Sequence, residues 1–228
     1  MKLEDLRKTD PEFMERFEQF AFEEVVNEEG QQLDDTTRYL AILSTLIGCQ
    51  GKEAFAVMLP KALDAGLSPV MVKEMVYQSV DYLGFGRMAE FLALVNEELE
   101  KGGIAMPLEA QSTTTMENRL EKGIDAQAEI FGEHMREAWK ADHIRRWLAD
   151  NCFGDYYTRT GLNLAQREMI TFCFLLAQGG CEPQLTAHAK GNINLGNDKA
   201  FLLKVVSQCL PYIGYPRSLN AINCINNA

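Results

Sequence analysis

The chain has 228 residues, enough to bury a sizeable core in one or two domains. A formal charge of −11 and an isoelectric point near 4.8 exclude nucleic acid as a partner, because a phosphate backbone needs a basic field; a small anion held by one local cation remains open. Hydrophobic residues at 46% and charged residues at 24% fit a globular chain rather than a disordered one.

From the start of the chain, MKLEDLRKTDPEF has no apolar segment, so no secretory signal is expected. Leu40, Leu43, Ile47, Phe55 and Met58 follow helical steps, and strand signals are nearly absent, which predicts an all-α fold. Gly66 is placed to stop one helix and Ser68 to cap an amphipathic one over 69–81. The stretch KGGIAMPLEAQSTTT loses periodicity, so a linker is placed at 103–116, between a first unit at 1–102 and a second at 117–228. ITFCFLLA (170–177) is the longest markedly apolar run and is too short to span a bilayer. Gly196 then stops a helix, and Asn197 or Asp198 caps the next, over 198–211. Six cysteines without close spacing or a CxxC pair suit a reducing cytoplasm and free thiols, not a disulfide framework.

An internal repeat organises the chain. Gly66, Val76, Gln78, Tyr82, Gly84, Arg87 and Asn96 recur 130 residues later as Gly196, Val206, Gln208, Tyr212, Gly214, Arg217 and Asn226. Leu33 and Arg38 recur at an offset of 129 as Leu162 and Arg167, so the second copy carries one extra residue, placed in AQGGC. QSVDYLGFGR and QCLPYIGYPR are two versions of one phrase, and a pair of similar helical bundles is expected.

The second copy carries the chemistry-bearing residues, in GGCEPQLTAHAK (179–190). Pro183 suits the first turn of a helix, which puts Glu182 near the N-cap and Cys181 just before it. A thiol beside the positive end of a helix loses its proton more readily, and the thiolate is the reactive form. Gln184 and His188 stand four apart on one face, and Cys181 is seven before His188, so thiol, amide and imidazole are expected on one pocket wall. His134 and His143 fall on charged stretches and read as solvated; no two histidines have metal-ligand spacing, so no zinc site is expected. Cys173, Cys209 and Cys224 read as core, and Cys152 lies beside FGDYY near a loop.

RLEKGIDAQAEIFGEHM, FGDYYTRTGLNLAQRE, and the region from GGCEPQLTAH through NINLG to YIGYPRSLNA together resemble the carboxymuconolactone decarboxylase family, which includes the AhpD-like alkylhydroperoxidases. Residues 28–100 resemble a second, more degenerate copy. The resemblance implies an all-helical AhpD-like bundle in two tandem repeats, no cofactor, and a ring of six domains, which three two-domain chains would complete as a homotrimer. The AhpD-like branch has Cys-x-x-Cys-x-x-x-His with a glutamate about twelve residues earlier. Cys181 and His188 match the first cysteine and the histidine, Gln184 replaces the second cysteine, and Glu168 lies thirteen residues before Cys181.

The missing cysteine favours the decarboxylase branch. That branch implies His188 as general acid or base, assisted by Glu168, on a small carboxylated lactone or related acid. Arg167 or Arg159, with Arg217 a weaker choice, would hold the substrate carboxylate, with Gln184 also contacting substrate. A thiol redox protein using Cys181 is the alternative, with Cys152 or a partner protein resolving; a non-catalytic binding scaffold is the third reading. The first copy has Met58 at the place of His188, Gly51 at that of Cys181 and Tyr39 at that of Glu168, so it is expected to be scaffold.

Overall fold

The computed structural model describes residues 3–228, and among them there are helices and no strand. Helices α1 (Leu3–Thr9) and α2 (Pro11–Glu18) lead through a π-helical turn into the short α3 (Val25–Asn27). The first repeat continues with α4 (Asp35–Gly48), α5 (Lys52–Asp64), α6 (Pro69–Leu83) and α7 (Phe85–Lys101). The second has α8 (Arg119–Phe131), a 3-10 segment, α9 (His143–Trp147) running into a π-helical stretch Leu148–Tyr157, then α10 (Leu164–Gln178), α11 (Glu182–Asn194) and α12 (Lys199–Asn226).

The repeat is visible helix by helix. Helices α4 and α10 start 129 residues apart, α5 and α11 130 apart, and α6 and α12 130 apart. Helix α12 is two helices joined at Gly214, whose φ of 76° matches the 79° of Gly84 between α6 and α7; only glycine adopts this backbone readily. Gly66 and Gly196 sit at φ 103° and 96°, closing α5 and α11 as their positions in the sequence predict. Ser68 accepts from the Met71 amide, and Asp198, rather than Asn197, accepts from that of Phe201. The Asn197 side chain is turned inward instead, to the Ala165 carbonyl and to Asn192 Oδ1.

The repeats pack within one chain around a shared apolar core, with a smaller cluster of Ala126, Ile130, Phe153 and Tyr157 beside it. The shared core takes Leu40, Leu43, Met75 and Val76 from the first repeat and Ile170, Phe174, Leu202 and Val205 from the second. Helices α4 and α10 meet at the centre, where a Cβ on Gly48 would stand 2.8 Å from both Ala177 Cβ and the Phe174 carbonyl. Gly48 and Ala177 are equivalent positions, so this contact lies near the axis relating the repeats. The third helices cross over. Gln78 on α6 bonds to the Arg167 carbonyl and Thr171 of the second repeat, while its counterpart Gln208 bonds to the Val25 carbonyl of the first. Each repeat therefore completes the other. The segment between α7 and α8 has no helix; Thr113 and Thr114 tie it to the carbonyls of Thr158 and Gly154.

Candidate active site

Helix α11 begins at Glu182 with Cys181 as its N-cap and brings His188 to face α10. His188 Nδ1 lies 2.8 Å from Glu168 Oε2, where an Nδ1–H donates to the carboxylate and Nε2 is left facing away from it. The ring stands edge-on between Tyr82, at 5.5 Å, and Phe131, at 5.4 Å, which fixes its plane. Gly191, one turn further along α11, leaves room for the acid: a Cβ there would come within 2.6 Å of Glu168 Oε2. Asn192 bonds to the carbonyls of both Glu168 and His188, locking α11 to α10.

Glu168 is fully enclosed, and its second oxygen accepts from Tyr157 at 2.8 Å. With its proton committed there, the Tyr157 oxygen accepts from Tyr82 at 2.7 Å and from Thr171 at 2.8 Å. Cys152 donates to the Tyr82 hydroxyl at 3.8 Å. Burial pushes both tyrosines well above the ordinary phenol range, so they stay neutral donors around a buried acid.

A cleft of about 730 Å³ opens on this group. Phe131, Met135, Leu148 and Phe153 make its apolar wall, and Asp81, Gln127, Cys181, Gln184, His188 and Lys190 its polar one. No group among the described residues bonds to His188 Nε2, so the free nitrogen serves the cleft. In the first repeat the equivalent hollow is only about 320 Å³, lined by Met58, Tyr212, Phe17, Phe22 and Lys61. Tyr212, the counterpart of Tyr82, meets the Met58 sulfur at 4.0 Å where Tyr82 meets an imidazole.

The structure brings together His188, Glu168, Cys181 and Gln184, although Glu168 stands behind His188 rather than in the cleft wall. It takes the two arginines elsewhere. Arg167 is fully buried; its Nη atoms donate to Gln78, Glu74 and the carbonyls of Arg159 and Thr160, while Nε has no partner among the described residues. Arg159 forks onto Glu74 at 2.8–3.1 Å, in a separate hollow with Lys73 and Tyr77. Glu74, supplied by α6 and fully enclosed, pairs with both guanidinium groups, and neither arginine lines the cleft that holds His188. Arg217 lies against Gly179.

The Cys181 thiol lies on the cleft wall at the start of α11. Burial pushes its pKa up, outweighing the Gln178 hydrogen bond, and Sγ rests 3.4 Å from the Leu175 carbonyl. The helix end does not make it a thiolate. Cys152 is buried, held against Tyr82 and also pushed up, and all six cysteines are free. Among the described residues no three His, Cys, Asp or Glu side chains are grouped to hold a metal, and no helix is long and apolar enough to cross a membrane.

Sequence reasoning missed Tyr157, Tyr82 and Asp81. The signal for Tyr82 was its recurrence as Tyr212; that for Asp81 was a sharp change within the repeated phrase, where Pro211 takes its place.

Fold and site together define an all-helical double repeat with one Glu–His pair retained in its second half. The carboxymuconolactone decarboxylase family model matches residues 11–97 and 143–226, most of the chain and one segment in each repeat, and the chain belongs to that family as two fused copies. No curated protein matches it.

Proposed function

We propose that the second repeat is an enzyme site that transfers a proton at carbon in a small unsaturated acid, a carboxylated lactone being the favoured class, with decarboxylation as the overall step. The observation that carries this reading is the 2.8 Å contact of His188 Nδ1 with Glu168, which leaves Nε2 to an apolar cleft. Loss of CO₂ leaves the bonding pair in the conjugated system, and protonated His188 returns a proton to carbon from Nε2 while Glu168 balances the imidazolium. Lys190, on the cleft wall, takes the place first given to the arginines in attracting the acid. The thiol reading has less support, since Cys181 is not activated and no second cysteine shares the cleft lining. A homotrimer remains part of the proposal, supported by exposed Phe85 and Tyr215 at equivalent positions of the two repeats.

The test is a panel of unsaturated γ-lactone acids incubated in D₂O and followed by NMR for CO₂ loss and deuterium incorporation at carbon. His188→Gln is expected to lower the rate by about 10²–10⁴-fold, the usual contribution of a positioned acid or base. Turnover unaffected by His188→Gln, or no deuterium entering any of these acids, refutes the proposal.

A further inference from the structure

The cleft that holds His188 also holds a carboxyl group from the other repeat. Asp81, near the end of α6, lines it beside Tyr82, and its Oδ2 is enclosed without a hydrogen-bond partner in the protein. Among the described residues no cation pairs with it. Cys152, Asp155 and Tyr156 face it from the Leu148–Tyr157 stretch, and His188, Lys190 and His134 share its cleft from α11 and the 3-10 segment. An enclosed carboxylate with one bare oxygen and no counter-charge is costly, whereas the neutral acid is not. Burial, partly offset by the neighbouring Cys152 thiol and reinforced by the negative charge of Asp155, accordingly lifts Asp81 to about 7. Gln127, 2% exposed and lining the same cleft, also has an enclosed oxygen, Oε1, without a partner. Two such atoms in one cleft mark where the polar part of a ligand is received.

We propose that Asp81 is a catalytic residue acting as a neutral acid, donating from Oδ2 to the oxygen on which negative charge develops in an enolate-forming substrate. The His188 half of this scheme rests on the proton-transfer reading above; the Asp81 half rests on the cleft. The bond from carbon to the carboxylate breaks, and its electron pair passes into the conjugated system and onto the carbonyl oxygen. Asp81 stabilises that oxygen by a hydrogen bond and keeps its own proton. Protonated His188 delivers the Nε2 proton to carbon and regains one from solvent. One proton is consumed and one CO₂ leaves, with no oxidant or reductant.

The probe is 4-nitrophenolate, a stable oxyanion on a flat ring, whose binding is followed by absorbance and calorimetry with its own ionisation taken into account. In wild type, affinity should fall about tenfold per pH unit above the titration of Asp81, as expected for one required proton. Asp81→Asn, which donates at every pH, should bind within about threefold of wild type at pH 6 and lose that pH dependence; Asp81→Leu should bind at least tenfold more weakly. Wild-type affinity in Asp81→Leu, an Asp81→Asn variant as weak as Asp81→Leu, or no phenolate binding by wild type overturns the proposal. His188→Gln should preserve the whole pattern, so a failure of the proton-transfer reading shows in turnover and a failure of this one in phenolate binding.

Discussion

Asp81→Asn should stabilise the fold, and by an amount that grows with pH. The carboxyl titrates at about 7 in the folded chain against an ordinary 3.8. Between those values the unfolded chain has lost the proton and the folded chain still holds it, so raising the pH favours unfolding throughout that interval and no further above it. The rise corresponds to about 4 kcal/mol at 1.36 kcal/mol per pKa unit, a ceiling, because the group faces a cleft that solvent enters. An advantage of about 2 kcal/mol for the asparagine variant at pH 8 is therefore expected, shrinking towards nothing at pH 4. Urea denaturation of both proteins at pH 4, 6 and 8 measures it, and comparing variant with wild type cancels every other titrating group. A difference that stays constant across this range, or that grows as the pH falls, would mean that Asp81 is ionised in the folded protein.

Glu74→Ala should cost about 3–5 kcal/mol in the same assay, because it strands Arg167 buried and unpaired; a loss below about 1 kcal/mol would show that the ion pair is dispensable. Gly191→Ala should push the Glu168 carboxyl off His188, lowering turnover and removing the His188 Nδ1 proton resonance, at a stability cost of about 1–3 kcal/mol; an unchanged resonance would contradict the tight fit. Iodoacetamide should label Cys181 slowly at neutral pH and faster only above the ordinary thiol range, with no change in His188→Ala; rapid labelling at pH 7 would restore the thiol reading.

Helix ends were legible in the sequence because their signals are local: a glycine at positive φ and a capping oxygen act within a few residues, as at Gly66 and Ser68. The pairing of His188 with Glu168 was legible through the family resemblance, since both sit on adjacent helices of one repeat. What stayed hidden depended on the crossing of α6. A composition does not reveal that Glu74 lies buried 93 residues from Arg167 in the chain, so two guanidinium groups that looked available for substrate are already paired with one protein carboxylate. Cys181 was misjudged for a related reason. The helix end was read correctly, but the desolvation that outweighs it comes from tertiary packing.

The exchange of third helices has a consequence for how this chain can diverge. In an assembly of two identical subunits with the same crossing, every substitution would alter both clefts at once, and an acid gained by one would be gained by the other. Joined in a single polypeptide, the halves are free to break symmetry. Asp81 reaches the second cleft while Pro211 stands in its place on the other side, and Gly191 clears space for an acid where Lys61 occupies the first hollow. The cleft takes its lining from both halves, so neither half expressed alone would present it whole.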